Sequence, residues 1–88
     1  MRFRVTVSET AVRQLKKLPK DTRKRLARGL EVLREDPFRP RPKADILSLE
    51  GTEPRKYRLR VGDYRAIYTV IGEEVKVIEV FARGRGYR

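Results

Sequence analysis

Basic side chains alternate along one stretch of the chain and continue after a glycine turn. Lys56, Arg58 and Arg60 occupy alternate positions before Gly62-Asp63, and Arg65 follows that dipeptide. A Gly-Asp pair between two alternating segments is typical of a two-residue β-hairpin turn. Because a guanidinium presents parallel N–H donors that match two phosphate oxygens, this spacing indicates a surface that binds phosphate groups.

The turn also predicts which residues of the hairpin share a face. With Gly62-Asp63 as the turn, Arg60 lies opposite Arg65, and opposed like charges are unfavourable without a counter-ion. A bound phosphate is one such counter-ion, and Glu79 or another acid of the chain is the alternative. The apolar residues of the two strands fall on the other face, which we expect to pack on helices: Tyr57, Leu59, Val61, Tyr64, Ala66 and Tyr68.

A second set of candidate residues lies at the C-terminal end. Arg83, Arg85 and Tyr87 occupy alternate positions, which project to the same side in extended backbone. Arginines there can bind phosphate, and an aromatic ring can stack on a base. A frayed terminus is the alternative interpretation, because chain ends are commonly disordered.

The charge of the whole chain favours a polyanionic partner. Among 88 residues, 23 are Lys or Arg and 12 are Asp or Glu, which gives a net charge of +11. An excess this large attracts nucleic acid and makes binding sensitive to salt. Solubility alone needs less charge, and an acidic protein partner is compatible with the same pattern. We therefore predict a protein that binds nucleic acid.

Composition also argues against several kinds of protein. The chain has no His and no Cys, and its carboxylates are scattered, so neither a zinc site nor a two-metal nuclease is expected and no cofactor is predicted. No apolar run is long enough to span a membrane, and residues 1–9 do not read as a signal peptide, so we expect a cytoplasmic protein.

The 40% charged residues and the lack of Asn suggest a heat-adapted source organism. A melting temperature typical of mesophiles would contradict that hypothesis.

Hydrophobic periodicity predicts a strand and two helices in the first part of the chain. Residues 2–7 alternate as in a half-buried strand, and Ser8 is a favourable N-cap. Pro19 ends the first helix and Asp36-Pro37 ends the second, so a tight connection joins an antiparallel helix pair. The expected apolar stripes are Ala11, Val12, Leu15 and Leu18 on the first helix and Leu26, Ala27, Leu30 and Leu33 on the second.

The rest of the chain reads as a loop followed by a sheet. The proline-rich residues 36–45 form a loop that we expect to lie across the domain through Phe38, and residues 46–49 form a short strand or an anchor. Strands are predicted at 56–61, 64–71 and 75–82, the last one central because it is apolar on both faces. Residues 1–88 are thus predicted to form one α+β domain, with an N-terminal strand, an antiparallel helix hairpin and an antiparallel β-meander, and with the helices on one face of the sheet.

Three segments of the chain resemble one family of proteins. They are Leu49-Glu50-Gly51, the hairpin segment YRLRVGDYRAIY at 57–68, and the tail RGRGY at 83–87. Together they are similar to the RelE/ParE superfamily of toxins from type II toxin–antitoxin systems, and most similar to its archaeal RelE members. The resemblance covers nearly the whole chain. It implies a RelE-like fold and an endoribonuclease that cuts messenger RNA in the ribosomal A site without a metal ion, the 2′-hydroxyl attacking the adjacent phosphate to leave a cyclic phosphate.

The resemblance also implies roles for individual residues. Arg65 matches the arginine that opens the strand after the hairpin turn, Arg83 or Arg85 matches the arginine after the last strand, and Tyr87 matches a terminal aromatic residue. We therefore expect Arg65, Arg83, Arg85 and Tyr87 to be catalytic. The residues expected to contact RNA are Lys56, Arg58 and Arg60 on the hairpin and Arg23, Lys24 and Arg28 on the second helix, where a solvated helix face is the alternative interpretation.

The strand before the hairpin turn departs from the family at two positions. Its better-studied members carry lysines where this chain has Arg58 and Arg60, and one of those lysines is a candidate general base. Arginine stays protonated and is a poor base. The base is then Lys56, Glu79, Tyr87 or a group of the ribosome, unless the enzyme works by positioning and charge alone.

The sequence also leaves two other functions open and predicts a set of partners. A ParE-like toxin would inhibit DNA gyrase and cut nothing, and a non-catalytic RNA-binding module would bind without toxicity. The expected partners are the ribosome, messenger RNA and an acidic RelB-like antitoxin that docks on apolar positions beside the helices. The toxin would then form a hetero-oligomer with the antitoxin and be monomeric when free, with no membrane association.

Overall fold

Two helices and five strands make up the fold in a computed structural model, which describes residues 2–84. Their order and bounds are β1 Arg4–Val7, α1 Glu9–Lys16, α2 Lys20–Val32, β2 Asp45–Leu49, β3 Lys56–Val61, β4 Tyr64–Ile71 and β5 Glu74–Ala82. The strands form one sheet in the order β1-β5-β4-β3-β2. The predicted α+β architecture is confirmed, and residues 45–49 form a strand rather than only an anchor. None of the helices within residues 2–84 is long and apolar enough to cross a membrane.

The sheet is mixed rather than purely antiparallel. Strands β2 to β5 form the predicted antiparallel meander, whereas β1 pairs in parallel with β5. The alternation of residues 2–7 predicted a strand but carried no information on its partner. Because β1 forms the edge of the sheet beside β5, β5 is an interior strand, which agrees with its apolar residues on both faces.

Helix α1 is joined to the sheet through its N-cap. The Ser8 hydroxyl accepts a hydrogen bond from the backbone N–H of Ala11 (3.0 Å) and donates one to the carbonyl of Ile78 (2.7 Å). The pairing of β4 with β5 shifts register between Ile67 and Tyr68. Ile78 is the extra residue of that bulge, so its carbonyl is free to accept from Ser8.

Helix α2 approaches the sheet at a glycine. A Cβ on Gly29 would lie 2.7 Å from a methyl carbon of Val61, so only a residue without a side chain allows this separation between α2 and β3. The stripe of Leu26, Leu30 and Leu33 is buried, as predicted. Leu15 and Leu18 are partly buried. Two members of the predicted stripes are exposed, since Val12 is 36% exposed and Ala27 lies on the outer surface of α2.

The apolar face of the hairpin forms the core with the helices, and its register is the predicted one. Arg60 lies opposite Arg65, and all six residues assigned to the helix-facing side belong to the core or pack against it. Tyr57 and Tyr68 stack with ring centroids 5.5 Å apart. Burial raises the pKa of the Tyr68 hydroxyl well above its ordinary value.

The proline-rich loop lies across this core. As predicted, Phe38 anchors it there, with edge-on contacts to the rings of Phe3 and Tyr57. The buried Tyr68 hydroxyl also donates a hydrogen bond to the carbonyl of Pro37 in the loop (2.6 Å). The loop is held from within by Asp36. Its carboxylate accepts from the backbone N–H of Phe38, which lowers the pKa of the Asp36 carboxyl.

Candidate functional site: an arginine face on the sheet

The face of the sheet turned away from the core carries the predicted basic residues, and we call it the arginine face. Two rows of side chains cross it, because opposed residues of neighbouring strands share a face. The first row is Asp45 on β2, Arg60 on β3, Arg65 on β4 and Phe81 on β5, and the second is Leu47, Arg58, Ile67 and Glu79. The predicted pattern of Arg58, Arg60 and Arg65 on one side is therefore present.

Two of these arginines share a carboxylate that the sequence did not single out. Arg60 Nε lies 2.7 Å from Asp45 Oδ2, and Arg58 Nη2 lies 3.2 Å from Asp45 Oδ1. Of the two expected counter-ions, an acid of the chain lies beside this pair, and the binding of phosphate there stays a prediction. That acid is Asp45 and not Glu79, which forms no ion pair within residues 2–84.

Arg65 is half-buried, and its hydrogen bonds within residues 2–84 go to backbone carbonyls. Its Nη1 donates to the carbonyls of Gly62 (3.3 Å) and Tyr64 (3.2 Å), so the side chain folds over the hairpin turn. Burial lowers the pKa of Arg65, and the positive charges of Arg58, Arg60 and Arg83 lower it further, while Asp45 opposes them. In the described part of the chain, no carboxylate pairs with Arg65. The site therefore holds a cation that is poorly neutralised by the protein itself.

Arg83 joins this group through the hairpin turn. Its backbone N–H donates to the carbonyl of Asp63, so the end of β5 is tied to the tip of the β3–β4 hairpin. The Arg83 side chain is exposed. Gly62 adopts φ of 58°, which favours glycine, and a Cβ there would meet the guanidinium of Arg25 at 2.7 Å. The turn thus holds Arg83 near Arg65, and the catalytic role of the two residues stays a prediction.

The remaining predicted residues lie elsewhere. Lys56 is half-buried on the arginine face, beyond the Arg58 row. Arg23, Lys24 and Arg28 are exposed on α2, which packs on the opposite side of the sheet, so the structure does not bring them to the arginine face. Their contact with RNA stays a prediction. Arg85 and Tyr87 lie outside the described residues, and their roles likewise stay predictions.

Sequence reasoning missed two residues that shape the site. Asp45 was assigned to a loop, because the turn at 50–55 is too long to predict how β2 pairs with β3. Once Asp45 is known to pair with Arg60 across the two strands, its role as counter-ion follows. Arg25 is not among the basic residues of α2 that the sequence singles out, although its guanidinium lies against Gly62 at the hairpin turn. No local sequence signal identifies that contact, because it joins residues far apart in the chain.

The arginine face is suited to phosphate chemistry. It carries four guanidiniums, on Arg58, Arg60, Arg65 and Arg83, and one carboxylate, Asp45, that pairs with two of them. Fixed cations of this kind bind phosphate groups and stabilise negative charge that develops on their oxygens in a transition state. Within residues 2–84, no cluster of three or more acidic side chains is arranged to hold a metal ion.

Comparison with known proteins finds relatives of this chain and of its fold. The family model described as ParE toxin of type II toxin–antitoxin system, parDE, matches residues 5–87. The predicted toxin RelE1 of Methanocaldococcus jannaschii is 31% identical over 87 residues, which is 98% of this chain and 94% of that protein.

Solved structures show the same architecture. RelE in the archaeal RelE–RelB complex from Pyrococcus horikoshii superposes with a TM-score of 0.81 at 37% identity, covering 98% of this chain and all of that one. The toxin of the Escherichia coli RelBE complex gives a TM-score of 0.63 at 27% identity, covering 97% of this chain and all of that one. With its fold, its arginine hairpin and these relatives, the chain belongs to the RelE/ParE superfamily of toxins of type II toxin–antitoxin systems.

Proposed function

We propose that this protein is a RelE-type endoribonuclease that cuts messenger RNA on the ribosome. The observation that carries the proposal is the arginine face, where Arg65 and Arg83 have no carboxylate partner within residues 2–84. The archaeal relatives support it, because the proteins that are 31% and 37% identical to this chain are named RelE rather than ParE.

In the proposed reaction, the RNA supplies its own nucleophile. The 2′-hydroxyl oxygen bonds to the adjacent phosphorus, and the bond from that phosphorus to the 5′ oxygen of the next nucleotide breaks. The 2′-hydroxyl loses its proton, the 5′ oxygen gains one, and the ends are a cyclic phosphate and a 5′-hydroxyl. Arg65 and Arg83 neutralise the charge on the phosphate oxygens as the bonds exchange, and Arg58 and Arg60 hold the flanking phosphates. We assign Arg85 and Tyr87 to the same site from the family resemblance.

The test is a cell-free translation reaction with purified protein, in which the 5′ ends of the messenger are mapped by primer extension. We expect cuts only on translated messenger, and loss of those cuts with Arg65→Ala and with Arg85→Ala. The matched control is Arg13→Ala, which removes the same charge from an exposed position on α1 and should cut normally. Intact messenger with normal translation would overturn the proposal.

Gyrase inhibition is the second candidate, because the family model that matches the chain is named for ParE. It predicts inhibition of DNA supercoiling by the purified protein, with no effect on translation. A supercoiling assay run beside the translation reaction separates the two functions, since each predicts an effect in one assay only.

We also propose an acidic, RelB-like antitoxin as a partner. The supporting observation is that related toxins were solved as RelE–RelB complexes. Val12, exposed on α1, is one apolar position beside the helices where such a partner can dock. Co-expression with the cognate antitoxin should give one complex on gel filtration and should abolish messenger cleavage. Separate elution and undiminished cleavage would contradict this proposal.

A further inference from the structure

Asp45 is the one acid among residues 2–84 that pairs with the basic residues of the arginine face, and the proposed reaction gives it no role. It sits at the start of β2, directly opposite Arg60 in the sheet. Its two carboxylate oxygens are shared between two arginines, with Arg60 at 2.7 Å and Arg58 at 3.2 Å. A carboxylate and a phosphate offer guanidinium groups the same pair of acceptor oxygens. Asp45 therefore occupies the donors that an RNA phosphate would use.

The ion pairs are open to replacement by a ligand. The side chains of Asp45 and Arg60 are 42% and 54% exposed, so RNA can reach them from solvent. Ion pairs this exposed are weakly held in water. Exchange of one anionic partner for another at this position requires no rearrangement of the core, because Asp45 lies on an edge strand of the sheet.

The pairing of Arg58 is also incomplete. Its Nε is buried and has no hydrogen-bond acceptor within residues 2–84, although its Nη2 bonds to Asp45. A buried donor without an acceptor is unfavourable. Arg58 thus keeps one buried donor unused while Asp45 holds it, so this ion pair does not satisfy the whole guanidinium.

We propose that Asp45 is an exchangeable internal counter-ion, which RNA phosphate displaces from Arg58 and Arg60 when the toxin binds its substrate. The inference rests on the proposed RNA-binding function of the arginine face. Asp45 holds the two arginines in place and limits their repulsion in the free protein, and it weakens RNA binding by competing for them. Arg65 and Arg83, without a carboxylate partner among the described residues, remain available for the first encounter with phosphate.

This proposal predicts a particular dependence on salt. RNA that displaces Asp45 leaves a free carboxylate, which attracts a cation from solution while the RNA releases its own cations. Fewer cations are then released overall, so the affinity of the wild-type protein falls less steeply with salt than it would without Asp45. Removal of the charge should both tighten binding and steepen its salt dependence.

The experiment measures binding of a short labelled single-stranded oligoribonucleotide to the full chain by fluorescence anisotropy over a series of salt concentrations. Asp45→Asn keeps the size of the side chain and removes its charge. We expect it to bind about 5-fold more tightly at low salt, with a slope of log affinity against log salt steeper by about 0.7, the value for one further single-strand phosphate contact.

Two matched variants separate the local effect from net charge and from shape. Glu50→Gln removes the same charge from an ion pair with Arg55 at the other end of β2, 3.1 Å between Nη1 and Oε2, and should change affinity by less than about 2-fold. Asp45→Glu keeps the charge and should keep the wild-type salt slope. Thermal unfolding of each variant verifies that it is folded.

The outcomes distinguish this inference from the function on which it rests. Binding by Asp45→Asn that equals the wild type, is weaker, or matches Glu50→Gln would overturn the role of Asp45. If Arg65→Ala weakens binding in the same assay, the arginine face is still supported as the RNA site, and only the proposed role of Asp45 as counter-ion is overturned. If neither variant changes the affinity, both proposals fall.

Discussion

The two faces of the β3–β4 hairpin are built from the same strands and are stabilised in opposite ways. On the helix-facing side, cross-strand pairing brings Tyr57 onto Tyr68, with ring centroids 5.5 Å apart and Tyr68 fully buried. On the arginine face, the same register brings Arg60 beside Arg65, where like charges repel. One two-residue turn therefore produces both a core and a charged surface, since every second residue changes side.

The difference separates stability from function in this protein. Apolar burial and aromatic stacking stabilise the helix-facing side. On the arginine face, burial lowers the pKa of Arg65, and repulsion from the neighbouring arginines lowers it further, which Asp45 only partly offsets. A charge cluster that opposes folding is expected where a polyanionic ligand supplies the missing negative charge.

The largest expected effect is on the stability of the helix-facing side. Tyr68→Ala removes a fully buried ring, its stack on Tyr57 and the hydrogen bond to Pro37, and should lower the free energy of unfolding by about 3–5 kcal/mol. Chemical denaturation measures the loss. The control is Ile71→Ala on the same strand, which is 55% exposed and should cost less than about 1 kcal/mol. Equal losses in the two variants would remove the contrast between core and surface.

The second prediction tests the arginine face in the same strand. Arg65→Ala should reduce messenger cleavage by about 100-fold or more, the typical effect of removing one group that stabilises transition-state charge. Its free energy of unfolding should change by less than about 0.5 kcal/mol, because relief of repulsion offsets the loss of two long hydrogen bonds to backbone. Cleavage is followed by primer extension and stability by denaturation. A variant that cuts normally but unfolds easily would reverse the assignment of the two faces.

A third prediction concerns the close approach of α2 to the sheet. Gly29→Ala places a methyl group 2.7 Å from Val61, a clash that costs about 1–3 kcal/mol, while alanine favours the helix by about 1 kcal/mol. We expect a net loss of about 1 kcal/mol in unfolding free energy. In the background of Val61→Ala the clash is gone, so Gly29→Ala should become neutral or stabilising. A double-mutant cycle by denaturation measures this coupling, and purely additive effects would contradict it.

The smallest predicted effect is a dependence of stability on pH at the loop that covers the core. The backbone N–H of Phe38 lowers the pKa of Asp36 in the folded protein below its unfolded value near 3.8. The carboxylate therefore contributes its full stabilisation above that unfolded value, and the contribution is lost as pH falls through the lower, folded pKa. Asp36→Asn should be less stable than the wild type near neutral pH, with a difference that shrinks in acid. A difference that is constant with pH would exclude this role.

Most of the fold and half of the site could be predicted from local sequence signals. The Gly62-Asp63 turn determined the register of the hairpin, because a two-residue turn leaves one way to pair the strands, and alternation then determined which side Arg58 and Arg65 occupy. Ser8 and Pro19 marked helix boundaries through capping and the missing proline N–H, which are local effects.

Only the tertiary structure decided the contacts between distant segments. Three such contacts depend on how separate elements pack together. They are the parallel pairing of β1 with β5, the ion pairs of Asp45 with Arg58 and Arg60, and the close contact of Gly29 with Val61. No turn of defined length links these residues, so alternation and spacing carry no information about their partners. The sequence by itself therefore determined that this protein presents an arginine-rich strand pair, whereas packing decided which acid restrains it, since ion pairs between strands depend on three-dimensional register.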